Sequence, residues 1–105
     1  MLSACIILTT KDRVHTAEQA IQPLLNSTNH FLWLVDGSTT EAGLALVAKH
    51  AGAADKLFKG VRGGSGPAIV FALSAALTAD YDYIGLVEQD VLLPHDWFGK
   101  TMALF

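Results

Sequence analysis

A chain of 105 residues that is 51% hydrophobic and 16% charged has the make-up of one folded domain with a buried core, which excludes a disordered segment. Its net charge of -3 and its seven scattered Lys and Arg residues provide no basic footprint for nucleic acid. The apolar run Ala4-Cys5-Ile6-Ile7-Leu8 is too short to span a bilayer and no basic residue precedes it, so no membrane span or signal peptide is expected and the reading is cytoplasmic.

Ser3 to Thr9 is a short continuous apolar run, as expected of a strand buried on both faces of a parallel sheet. The lone Cys5 lies inside it and reads as a buried structural thiol. After the polar loop Thr10-Lys11-Asp12-Arg13, the residues Val14, Ala17, Ala20, Ile21, Leu24 and Leu25 recur on one helical face. Pro23 within that pattern should kink or shorten the helix near its last turns. Phe31 to Val35 is the second buried strand and runs into the turn Asp36-Gly37-Ser38. Ser38 with Glu41 three residues on has capping-box spacing, which predicts a second helix from Ser38 with Leu44, Val47 and Ala51 inward and Gly52 as its stop.

Lys56 to Val61 reads as a weaker strand near a sheet edge. The flexible stretch Arg62 to Pro67 then leads into a third helix with Pro67 at its first position, carrying Ile69, Val70, Leu73, Ala76 and Leu77. Tyr83 to Asp90 is a fourth strand, and Pro94 to Phe105 starts another helix. The chain ends there without a capping residue, which suggests a piece of a larger domain. The order βαβαβαβ predicts a Rossmann-like three-layer α/β/α domain over residues 1–105 with a mostly parallel sheet.

In a parallel sheet the C-terminal strand ends align, so three polar segments should meet in one crevice: Thr9 to Arg13, Asp36-Gly37-Ser38 and Glu88-Gln89-Asp90. On a strand, Glu88 and Asp90 would point to the same side. Such an acid pair can hold a divalent cation that bridges phosphates, Arg13 can hold a diphosphate, and Asp36 can accept from a nucleobase N–H or a ribose hydroxyl. Each has a plainer alternative: a solvated strand exit for the acids, a surface charge for Arg13, and an Asx-type turn capping the second helix for Asp36. The glycines from Gly60 to Gly66 lack the Gly-Lys-Ser/Thr of a phosphate cradle, and a flexible loop is the simpler reading, although Arg62 could add a phosphate contact. The histidines His15, His30, His50 and His95 are dispersed without zinc-ligand spacing, and Trp33 and Trp97 are better explained as core residues than as sugar-stacking platforms.

Thr9-Thr10-Lys11-Asp12-Arg13, Leu34-Val35-Asp36-Gly37-Ser38-Thr39 and Asp82 to Asp90, with its Glu88-Gln89-Asp90, together resemble the nucleotide-binding half of family 2 glycosyltransferases of GT-A fold. The resemblance implies a domain that binds a UDP- or GDP-sugar with Mn²⁺ or Mg²⁺ and transfers the sugar to an acceptor hydroxyl. It places nucleotide-sugar binding on Thr9, Arg13, Asp36, Glu88 and Asp90, with Asp90 as the metal ligand and Glu88 on the ribose side. The sequence departs from the family at Val35, where an acid is usual, at Glu88, where an Asp is usual, and at Ile69 and Val70, where a basic residue and an Asn are common. In that family the catalytic base and acceptor site lie in a second half, so the catalytic residues are unknown here and the acceptor is unidentified. The alternative is a nucleotide-binding or protein-interaction module without chemistry. A flavodoxin-like domain is disfavoured because no Gly follows the first strand. Apolar surface left open by a missing half would favour self-association.

Overall fold

The computed structural model describes residues 3–26, 29–94 and 96–104. In chain order it contains β1 (Ala4–Thr10), α1 (Val14–Leu25), β2 (Phe31–Asp36), α2 (Glu41–His50), a short 3₁₀ turn (Ala51–Ala53), β3 (Lys56–Phe58), α3 (Ser65–Leu77), β4 (Tyr83–Glu88) and α4 (Trp97–Met102). The four strands form one parallel sheet in the order β3-β2-β1-β4. The predicted α/β architecture and the edge position of the third strand both hold.

The two faces of the sheet bury alternate residues of the same strands, as a period of two requires. Ile6, Leu8, Leu32, Leu34 and Val87 pack with Ala20, Ile21 and Leu24 of α1 and with Trp97 of α4. On the opposite face Cys5, Ile7, Trp33 and Val35 pack with Ala68, Ala72 and Ala76 of α3. The small alanines of α3 let that helix sit close to the sheet. Cys5 is fully buried, and burial pushes its thiol up to about 11, so it is a packing residue and not a nucleophile. Both Trp33 and Trp97 are core residues.

Against α1 lies α2, and Glu18 ties the two helices together through the buried His50 imidazole at 2.7 Å and the Lys49 ammonium at 3.0 Å. Pro23 is carried inside α1, which continues two residues past it, and the Pro23 carbonyl accepts from the Trp97 indole N–H at 3.1 Å. The proline thereby helps seat α4.

Several sequence expectations are corrected. The second helix does not begin at Ser38: Thr40 is its N-cap, with its hydroxyl accepting from the Gly43 N–H. Ser38 is occupied elsewhere, and the helix packs with Gly43, Val47 and His50 inward while Leu44 is 47% exposed. The plainer alternative for Asp36, an Asx-type turn capping the second helix, does not hold either, since Thr40 is the cap. The third strand stops at Phe58, because the following segment bends through Gly60, Gly63 and Gly64, all with positive φ. Two residues before Pro67, α3 begins at Ser65, still within the first turn where a missing N–H costs no helical bond. The last helix starts at Trp97 rather than Pro94. His95, expected at its start, lies outside the described residues. Among the described residues no helix is long and apolar enough to cross a membrane.

Candidate active site at the switch point of the sheet

Chain order places β2 and β3 on one side of β1 and β4 on the other, so the connections diverge at the C-terminal ends of β1 and β4, where open α/β sheets form a crevice. The register brings the three polar segments together there: Thr9 pairs with Glu88 on one side, and Thr10 with Asp36 on the other. A cleft of about 360 Å³ opens at this edge, within the range of small-molecule sites. It is lined by Thr9, Thr10, Lys11 and Arg13 from the first loop, by Glu88, Gln89 and Asp90 from the last, and by Gly37, Val61, Gly64 and Ala68.

Four of the five residues singled out from the sequence, Thr9, Arg13, Glu88 and Asp90, thus line one cleft. Strand alternation is not what brings the two acids together. β4 ends at Glu88, and the chain turns at Gln89-Asp90 with the Val91 N–H bonded to the Glu88 carbonyl at 3.1 Å. The turn, and not the pleat, delivers Asp90 to the cleft.

Asp36 is placed differently. Its side chain is fully buried behind Thr10 and Gly37, which do line the cleft. One oxygen, Oδ1, accepts from the Thr10 hydroxyl at 2.8 Å and the Ser38 hydroxyl at 2.7 Å. Oδ2 is buried and has no hydrogen-bond partner. An acceptor left unsatisfied inside a protein costs free energy, and Oδ2 shares that state with the His30 Nδ1 and Trp33 Nε1 atoms. Gly37 is required by close approach: a Cβ there would lie 2.5 Å from the Val61 carbonyl oxygen.

The first loop is braced by residues that sequence reading passed over. Asp12 adopts a positive φ of 59° and accepts four hydrogen bonds, from the N–H and hydroxyl groups of Thr39 and Thr40, at 2.8–2.9 Å. These bonds, that from the Thr40 N–H foremost, hold its carboxyl down to about 2. The Asp12 N–H in turn donates to the Ser38 hydroxyl at 3.0 Å. These partners lie 26–28 residues away in sequence, so no local spacing announces them.

Nor does local spacing announce Gln89, whose carboxamide meets the Lys11 main chain at both its N–H and its C=O. The only local hint is chemical: a neutral amide stands between two carboxylates.

Electrostatically the cleft carries two cations, Lys11 and Arg13, and two carboxylates, Glu88 and Asp90. Among the described residues no three His, Cys, Asp or Glu side chains are gathered closely enough to hold a metal unaided. Two hard carboxylates suit Mg²⁺ or Mn²⁺ when phosphate oxygens and water complete the coordination, since such ions commonly take only one or two protein carboxylates.

No protein-family model matches this chain, and no curated protein resembles it significantly in sequence. Solved structures do resemble it. Residues 1–349 of S. aureus TarS superpose with a TM-score of 0.70 at 16% identity, over 97% of this chain and 32% of that one. The same protein in complex with UDP-GlcNAc scores 0.71 at 16% identity, over 97% of this chain and 30% of that one. The mannosyltransferase PcManGT from Pyrobaculum calidifontis, in complex with GDP-Man and Mn²⁺, scores 0.70 at 18% identity, over 89% of this chain and 29% of that one. This chain spans less than a third of the length of the proteins it matches. At these identities the likeness concerns architecture: the chain has the GT-A-type α/β fold found within these glycosyltransferases.

Proposed function

We propose that this chain is the donor-binding portion of an inverting glycosyltransferase, taking a UDP- or GDP-sugar together with Mn²⁺ or Mg²⁺. The observation that carries the reading is one cleft at the switch point, lined by Arg13, Glu88 and Asp90, with the buried Asp36 carboxylate bonded through Oδ1 to the lining residue Thr10. The fold neighbours that hold UDP-GlcNAc, and GDP-Man with Mn²⁺, support the same class of ligand. On this reading residues 1–105 form one donor domain of a larger enzyme located in the cytoplasm.

Arg13 and Lys11 supply positive charge for the diphosphate, and Thr9 lines the same cleft. Asp90 is the metal ligand, and Glu88 takes a ribose hydroxyl or a metal-bound water. Asp36 is closed to solvent, so contact with a nucleobase N–H or ribose hydroxyl requires the Thr10–Gly37 wall to part enough to admit one donor to Oδ2. In the transfer, the acceptor oxygen bonds to the anomeric carbon as the bond from that carbon to the diphosphate oxygen breaks, the electron pair leaving with the diphosphate. A bound divalent cation would stabilise the charge that builds on this leaving group. The acceptor's proton goes to a base that we assign to a part of the enzyme beyond these residues.

Calorimetric titration with UDP- and GDP-sugars, with and without Mn²⁺, tests the reading. Binding that strengthens with Mn²⁺ and loses that enhancement in Asp90→Ala is the expected result. No binding to any of them, with Asp90→Ala indistinguishable from wild type, sinks the proposal. A module without chemistry is favoured by one observation, that among the described residues Glu88 and Asp90 are the only carboxylates lining the cleft. It predicts binding without turnover in any protein containing this segment.

A further inference from the structure

Gln89 sits between the two cleft acids, yet its side chain points its chemistry at the main chain of another loop. Its Oε1 accepts from the Lys11 N–H at 2.7 Å, and its Nε2 donates to the Lys11 C=O at 3.1 Å. A carboxamide is the chemical complement of a peptide group, with one donor and one acceptor side by side. The last main-chain pair of β1 and β4 is Thr9 with Glu88. Past that point β4 turns away, and the Gln89 side chain continues the pairing where the backbone no longer can.

The Lys11 carbonyl also accepts from the Arg13 N–H at 2.7 Å, so Gln89 and Arg13 converge on one oxygen. Between them Asp12 is held at positive φ by its bonds to Thr39 and Thr40. The short loop that presents Arg13 is therefore fastened on both sides, to the α2 entrance through Asp12 and to the acidic turn through Gln89. The second fastening spans the cleft components themselves, because Lys11 and Arg13 stand on one of the two joined segments and Glu88 and Asp90 on the other.

We propose that Gln89 is a positioning residue for the donor site, setting the separation between the cationic loop and the acidic turn so that a diphosphate and its divalent cation are held at the same time. The role rests on the donor-binding reading above and adds to it a residue that couples the two halves of the ligand. Other side chains do not serve. An ionised glutamate has no donor for the Lys11 carbonyl, asparagine is one methylene short, and alanine offers neither group. Without the clasp, each half of the site persists but their spacing is no longer fixed, so the loss falls on coupling and not on either contact alone.

The test uses Gln89→Ala and Gln89→Glu. For each protein, affinity for UDP and GDP is titrated with and without Mn²⁺, affinity for uridine and guanosine is titrated alone, and exchange of the Lys11 amide proton is followed by NMR. The expected result is that the Mn²⁺ enhancement of nucleoside diphosphate binding falls about tenfold in both variants, a typical coupling between two ligands. Nucleoside affinity stays unchanged, which also shows that the variants are folded, and Lys11 exchange accelerates by about tenfold in Gln89→Ala for one lost hydrogen bond, whereas the Gln89→Glu carboxylate still accepts from the Lys11 N–H and leaves it protected. A merely structural role would weaken nucleoside and diphosphate binding alike. Wild-type protein that binds but whose variants keep the full Mn²⁺ enhancement, or whose Gln89→Ala variant keeps the wild-type Lys11 exchange rate, overturns this role alone. Wild-type protein that binds no nucleoside diphosphate overturns the donor-site reading and this role with it.

Discussion

Replacing Gly43 by alanine sets two effects of similar size against each other. Glycine within a helix is about 1 kcal/mol less favourable than alanine, so the substitution should stabilise α2 on backbone grounds. The surroundings oppose it. A Cβ at position 43 would lie 2.7 Å from Asp12 Oδ1, 2.8 Å from Ser38 Oγ and 2.9 Å from Ser38 Cβ. Neither neighbour is the free end of a flexible chain. Ser38 Oγ joins Asp36 to the Asp12 N–H, and Asp12 Oδ1 accepts from both Thr40 donors and the Thr39 N–H. Relieving the overlap means displacing that network, and overpacking of this kind costs about 1–3 kcal/mol. Because the overlap falls on three fixed atoms, the steric cost outweighs the helical gain, and a net loss of up to about 2 kcal/mol is expected, which lowers the unfolding temperature of a domain this size by up to about 15 °C. Urea unfolding followed by Trp33 and Trp97 fluorescence measures it. Gly66→Ala in α3, where a Cβ would meet nothing within 4 Å, is the control and should hold or raise stability. A Gly43→Ala midpoint at or above that of wild type would refute the claim that α2 approaches the first loop this closely.

Two further outcomes are expected. The Glu18 carboxyl is held down to about 2 by its hydrogen bonds to His50 and Lys49, against an ordinary 4.5. The unfolded chain therefore takes up this proton first, so the stability from the pair is complete above about pH 4.5 and drains away as pH falls toward 2. Glu18 is 30% exposed, and solvent reduces the contribution to about 1 kcal/mol. Glu18→Gln should be less stable than wild type at pH 6 and converge with it near pH 2; parallel stability curves across that range would count against the pair. Val70, Phe71 and Leu77 on α3 are exposed apolar side chains, Leu77 by 71%. Concentration-dependent sedimentation of this chain that is abolished by Leu77→Lys is the expected sign of self-association, and a monomer at every concentration would exclude it.

What could be read before folding follows from how far each signal reaches along the chain. The apolar runs at Ser3 to Thr9 and Phe31 to Val35 mark buried strands because burial is written into nearly every residue of such a strand, the exposed Phe31 at its start excepted. Their polar exits could be placed at one edge because parallel strands align their C-terminal ends. Ser38 shows where this stops. Its spacing to Glu41 is that of a capping box, but its hydroxyl is taken by Asp36 and by the Asp12 N–H, and Thr40 caps the helix instead. A local rule was overridden by partners supplied from elsewhere in the fold.

The sequence by itself determined the α/β class, the parallel sheet, and the gathering of Thr9, Arg13, Glu88 and Asp90 at one edge. These depend on periodicity and strand direction, which are local properties. Tertiary structure alone decided that Asp36 lies behind the cleft wall with one oxygen unpaired, that Asp12 braces the first loop, and that Gln89 joins two loops 78 residues apart. The reason is physical: a hydrogen bond depends on positions in space to within a few tenths of an ångström, and residues distant in sequence acquire such positions only once the sheet has set its register.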